Sequence, residues 1–136
     1  MSTVTVLHAS AVIAFLQHES GHEVVEQALQ NDQCMVSAAN QAEIISKALD
    51  RGVSPEAIVA ILAELSYVVL DITAADGVRA GMMRLSTRSA GLSLGDRLCL
   101  ATAKRLEAHV MTADRAWLSV AQTLDLGISC IRTEAH

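Results

Sequence analysis

Short apolar runs alternate along this chain with longer stretches in which apolar side chains recur every three or four positions. The run TVTVL at residues 3–7 is rich in β-branched side chains and reads as a strand. So do CMVS at 34–37 and residues 67–70 and 109–112, with residues 128–131 as an edge strand. Between them the helical period predicts helices over 9–17, 23–29, 39–50, 74–89, 96–107 and 115–123, the first two broken near Ser20-Gly21. Another helix opens at Ser54-Pro55-Glu56, with the serine as N-cap and the single proline at the first helical position. Strands of four or five residues separated by helices indicate βαβ units and a parallel sheet. Right-handed crossovers then place helices on both faces. The expected fold is one α/β domain over residues 1–136, a three-layer α/β/α sandwich around a short-stranded parallel sheet.

Composition narrows the function classes. Of 136 residues, 51% are hydrophobic but only 2% aromatic, so the core must be built from small aliphatic side chains. No apolar run approaches the roughly 18–20 residues that a membrane span needs, and no basic segment precedes the first apolar stretch as in a secretory signal. Cys34, Cys99 and Cys130 are widely spaced with no CxxC pair, so they read as buried thiols of a reducing cytoplasm rather than a disulfide framework or zinc site. Ten Lys and Arg against fifteen Asp and Glu give a net charge of −5, which at first argues against a nucleic-acid partner. The distribution reverses that impression. Residues 1–46 hold five acids and no Lys or Arg, whereas residues 79–105 hold six basic residues and one acid, Asp96. High apolarity with low charge also suggests surface covered by a second copy, with helices near residues 9–15 and 57–65 as candidates.

Ligands of open α/β sheets bind beyond the carboxyl ends of the strands. His8 follows the first strand, Glu43 lies in the helix after the second, Asp96 opens the helix of LSLGDRLCLA, and Asp114 follows the fourth strand. Asp96 and Asp114 also stand where helix N-caps belong, and Lys47 is placed to pair with Glu43 one turn away. Gathered at one end of a sheet, the three acids and the histidine are a hard-oxygen site for Mg²⁺ or Mn²⁺ acting on a phosphodiester. Arg97, with Arg84 and Arg88 one helical turn apart, would hold a polyanionic substrate. His18-Glu19-Ser20-Gly21-His22 matches the HExxH pattern of zinc proteases, but the break at Ser20-Gly21 denies it the continuous helix that this chemistry needs. Dinucleotide, P-loop and α/β-hydrolase motifs are absent.

Four segments, VLHASAVIAFL, SAANQAEIISKALDRG, GLSLGDRLCLATAKRL and VMTADRAW, together resemble PIN-domain proteins of the VapC type, the ribonuclease toxins of prokaryotic toxin–antitoxin pairs. The resemblance implies a parallel-sheet α/β/α fold, Mg²⁺- or Mn²⁺-dependent RNA cleavage, homodimerisation and a small antitoxin partner. By position, Glu43, Asp96 and Asp114 match the family's metal-binding acids, and Ser10 its supporting hydroxyl residue. His8 departs from the pattern, standing where the family has an aspartate. An imidazole there is expected to act as a softer ligand, to shift metal preference towards Mn²⁺ or Zn²⁺, and to weaken or abolish cleavage. Two other readings follow: a PIN-fold module that binds antitoxin or RNA without cutting, and a metal-dependent nuclease acting on DNA.

Overall fold

A computed structural model describes residues 3–132, so the first two and last four residues of the expected domain lie outside the described residues. Strands β1 (Val4–Leu7), β2 (Gln33–Ser37), β3 (Tyr67–Leu70), β4 (His109–Thr112) and β5 (Ile128–Cys130) form one sheet in the order β3-β2-β1-β4-β5. Every pairing is parallel, as the alternation of strands and helices requires. Helices α1 (Ala9–Leu16), α2 (His22–Asn31), α3 (Ala38–Asp50) and α4 (Pro55–Ala63) precede β3, and α5 (Ala74–Met82), α6 (Arg84–Thr87) and α7 (Leu94–Leu106) follow it. A 3₁₀ helix (Arg115–Ser119) and α8 (Ala121–Leu124) lead into β5.

The side-chain period of two in the central strands divides the core. Val6 and Val110 pack on one face with Leu92, Leu100 and Trp117, while Leu7 and Met111 pack on the other with Val12, Val25 and Ile44. Both faces of the sheet are therefore covered, which makes the expected three-layer sandwich. Small side chains do most of this packing: Ala11, Ala14, Ala80, Ala101 and Ala103 are fully buried. Helix α1 spends its apolar residues inside the chain, with Ala9 and Ala11 through Ala14 buried, so it is not the spare surface that its composition suggested. Val59 and Ile61 of α4 do remain exposed.

The expected helix over 74–89 is two pieces. Gly77 and Gly81 weaken the helix, and at the buried Met83 the chain tightens into an i→i+3 bond from Ser86 N–H to the Met83 carbonyl. The expected helix over 115–123 likewise splits at Val120, whose φ of −107° is poorly helical. Helix α7 begins two residues earlier than expected because Ser93, rather than Asp96, is its N-cap. Helix α2 extends to both sides of the expected 23–29. Cys34 and Cys99 are buried free thiols, but Cys130 is only half-buried. Among the described residues no helix is long and apolar enough to cross a membrane.

Candidate functional site

The sheet order reverses at β1, so the carboxyl ends of β1 and β4 form the crevice in which doubly wound folds place ligands. His8 leaves β1 there, its backbone N–H donating to the Met111 carbonyl of β4 at 2.9 Å. It is the N-cap of α1: its Nδ1 accepts the Ser10 N–H at 3.3 Å and lies 2.7 Å from Ser10 Oγ. A nitrogen that accepts a backbone N–H carries no proton of its own, so the Ser10 hydroxyl donates to it. The ring proton then belongs to Nε2, which donates to Asp96 Oδ1 at 2.8 Å. The ring rests against the buried Trp117, with centroids 4.3 Å apart, and His8 is only 8% exposed. Both ring nitrogens are engaged. The imidazole, expected from the sequence to be a metal ligand, is here a hydrogen-bond donor to one of the acids.

Asp96 stands at the third position of α7 in a capping box, donating its N–H to Ser93 Oγ and accepting the Ser93 N–H on Oδ2 at 2.9 Å. Its two oxygens thus have separate partners. Burial alone would raise the Asp96 carboxyl; the bonds from His8 and Ser93 overcome that and hold it below the ordinary aspartate range. Glu43, half-buried on α3, takes its bond from Asn40 Nδ2 at 2.6 Å rather than from Lys47. Asn40 is fully buried and reaches the Gly95 carbonyl at 3.3 Å, joining α3 to the start of α7. A Cβ on Gly95 would fall 2.6 Å from Glu43 Oε1, so any other residue here would displace this carboxylate from its present place. Burial raises the Cys99 thiol, and the negative fields of Asp96 and Glu43 raise it further, consistent with both acids standing near it.

On the β4 side, Asp114 is exposed and caps the 3₁₀ helix, Oδ1 accepting the Ala116 N–H at 2.9 Å. Ser10 Oγ accepts the Ala113 N–H at 2.9 Å and lies 3.3 Å from Thr112 Oγ1, which accepts the Asp114 N–H at 3.1 Å. Ser10 thereby ties the start of α1 to the residues that follow β4. Ser10, Ala113, Asp114, Arg115 and Arg132 line an open cleft of about 550 Å³. Asn40, Thr112 and Trp117 belong to this network and escaped the sequence reading; the Asn40–Glu43 spacing of three on a helix was the available signal.

The basic segment is less available than its composition suggested. Arg97 is 9% exposed and donates through Nη1 to the Ala80 carbonyl, so it joins α7 to α5 instead of facing a substrate. Lys104 binds the Leu124 and Asp125 carbonyls, and Arg105 binds the buried Asp76. Arg84 and Arg88 are exposed at α6. His18 and His22 do approach, with ring centroids 4.7 Å apart, but α1 ends at Leu16 and α2 begins at His22, so no continuous helix carries an HExxH site.

Such a fold, a five-stranded parallel sheet in the order β3-β2-β1-β4-β5 covered by helices on both faces, defines a class. The PIN domain family model matches residues 5–122, and the chain belongs to the PIN domain family. Its fold is similar to that of a toxin–antitoxin complex from Klebsiella pneumoniae, at 14% identity and a TM-score of 0.73, covering 96% of this chain and 99% of that one. VapBC-1 from nontypeable Haemophilus influenzae is similar at 21% identity and a TM-score of 0.70, covering 95% and 98%. VapBC2 from Rickettsia felis, bound to a DNA fragment from its promoter, is similar at 18% identity and a TM-score of 0.67, covering 94% and 98%. No curated protein matches the chain by sequence.

PIN domains generally use divalent metal ions. The residues here do not fit one as they stand. Asp96 is bonded to His8 and Ser93, Glu43 to Asn40, and Asp114 to the backbone of Ala116. Among the described residues no three His, Cys, Asp or Glu side chains are grouped so that they would hold an ion.

Proposed function

We propose that this chain is the toxin-type member of a toxin–antitoxin pair, a cytoplasmic PIN domain whose strand-end crevice is built to cleave RNA phosphodiester bonds and whose cleavage is held down by His8. The observation that carries the reading is the match of the chain to the PIN family, with the His8–Asp96 bond and the Ser10–Ala113 bond at that crevice supporting it. In this reading Asp96 and Glu43 supply the negative charge of the working site, Asn40 and Gly95 orient Glu43, and Ser10 ties the start of α1 to the end of β4. Arg84 and Arg88, both exposed, are the cations of the basic segment that we assign to RNA phosphates. Each of the acids already holds a hydrogen-bond partner within the chain: Asp96 has His8 and Ser93, Glu43 has Asn40, and Asp114 has the Ala116 N–H. In PIN domains the metal ion is Mg²⁺ or Mn²⁺ on the family resemblance, and we assign one to the His8→Asp form.

Partner surfaces support the same reading. An apolar groove of about 320 Å³ between α1, α3 and α4, lined by Ile13, Leu16, Ile44, Ile58 and Leu62 and edged by Lys47 and Arg51, suits an amphipathic acidic segment, and we assign it to an antitoxin. Exposed Val68 and Val69 on the edge strand β3, with Val78 and Met82 on α5, are the apolar surface assigned to a homodimer. The second reading, a module that binds antitoxin or RNA without cutting, is favoured by the His8–Asp96 bond itself. Induced expression in bacteria separates the two. The His8→Asp form should arrest growth and degrade cellular RNA while the unaltered chain does so weakly or not at all. Normal growth and intact RNA with both forms would overturn the nuclease reading.

A further inference from the structure

His8, the position at which the chain departs from the motif it resembles, is buried and has a partner at each ring nitrogen. His8 Nδ1 faces two donors of Ser10, the N–H and the hydroxyl, so the Nε2 proton is fixed towards Asp96. Thr112 Oγ1, 3.4 Å from Nδ1, and Trp117 against the ring close the remaining sides. A cation placed beside Asp96 would meet an N–H that points at it, the wrong end of a dipole. The 2.8 Å bond also takes up the side of Asp96 Oδ1 that faces His8, which leaves an ion only that oxygen's other lone pair. Mg²⁺ in particular demands near-octahedral oxygen ligands at about 2.0–2.1 Å and sheds water reluctantly, so it gains least from such a site.

The exchange works in the other direction as well. Three or four unpaired carboxylates at one end of a sheet repel one another and need a cation to be stable together. Replacing one of them by a donor removes a charge and supplies a partner for Asp96 in a single change. The remaining acids each have a local donor on one oxygen: Asn40 on Glu43 Oε1, and the Ala116 N–H on Asp114 Oδ1.

We infer that His8 occupies the role of the cation at this end of the sheet, and that the chain does not take up Mg²⁺ or Mn²⁺ at Glu43, Asp96 and Asp114. This rests on reading the crevice as the working site, and it concerns metal uptake rather than RNA. It makes His8 a positioning residue for Asp96, not a ligand.

Titration calorimetry with MnCl₂ on the purified chain and on His8→Asp tests it without any substrate. The unaltered chain should give no heat of specific binding at millimolar Mn²⁺. His8→Asp should bind one ion at least about tenfold more tightly, the lower end of what even a supporting group contributes to metal affinity. Equal binding by the two forms overturns the inference, and so does absence of binding by a folded His8→Asp, since something other than His8 would then exclude the ion. Should His8→Asp fail to fold without metal, NMR on the unaltered chain still decides. The His8 ring should show a protonated Nε2 and a bare Nδ1, and stoichiometric Mn²⁺ should leave the Ser10, Gly95 and Asp96 amides unbroadened; selective broadening there overturns the inference. If His8→Asp binds Mn²⁺ but cuts no RNA, the nuclease reading fails while this inference stands.

Discussion

The bond between His8 and Asp96 links positions 88 residues apart, and a double-mutant cycle isolates it. Asp96→Ala removes that bond and the capping box with Ser93; the cap alone is worth about 1 kcal/mol. His8→Ala removes the same bond, the N-cap of α1 and the contact with Trp117. Those extra losses differ between the two variants and cancel in the cycle, leaving the pairwise term. A hydrogen bond to a charged group contributes about 1.5–3 kcal/mol when buried. The two side chains here are 10% and 16% exposed, so a coupling near the lower end, about 1.5 kcal/mol, is expected at pH 7. In urea denaturation the single variants should together lose about 1.5 kcal/mol more than the double variant does. For a chain of this size each kcal/mol corresponds to about 3–4 °C in melting temperature, so thermal melts provide a second measure. A coupling below about 0.5 kcal/mol would refute the claim that His8 holds Asp96.

Three further expectations follow from other parts of the molecule. Burial would raise the Asp76 carboxyl, but Arg105 and the Thr73 N–H bind it and hold it below the ordinary aspartate range. Its contribution is therefore present above about pH 4, the unfolded value, and is lost as pH falls through the lower native one; Asp76→Asn should cost about 2 kcal/mol at pH 7, and denaturation curves of the two forms should converge in acid, while a constant gap would refute the assignment. Gly95→Ala should displace Glu43, because the new Cβ would lie 2.6 Å from its Oε1; placed in the His8→Asp background it should lower Mn²⁺ affinity, and unchanged affinity would show that Glu43 is not part of that site. Burial, aided by the charge of Asp32, pushes the Cys34 thiol up to about 11, so iodoacetamide at pH 8 should leave it unmodified in the folded chain, as peptide mass spectrometry would report.

Much of the fold was legible because its signals are local. The β-branched runs before His8 and Ala113 are strands, and the N-cap Ser54 with Pro55 at the first helical position opens α4 where expected. The broken helices were less legible, since a periodic apolar pattern continues across Met83 and Val120 while the backbone does not. Arg97 shows a different limit. Helix α7 is buried on almost every side, at Arg97, Cys99, Leu100, Ala101, Thr102 and Ala103, so its one-dimensional pattern offers no exposed face from which to judge the arginine. The candidate acids could be nominated because topology carries strand-end residues to one edge. The bonds they make were not legible, because the Asn40–Glu43, Asn40–Gly95 and His8–Asp96 contacts depend on how α1, α3 and α7 meet.

The most direct test of the account is cleavage of a defined RNA by the purified chain and its His8→Asp form, side by side, with and without Mn²⁺. The account predicts strong cleavage only by His8→Asp with Mn²⁺, abolished by adding Asp96→Asn to that form. Equal cleavage by the unaltered chain, or none by a folded His8→Asp that binds the ion, would contradict it.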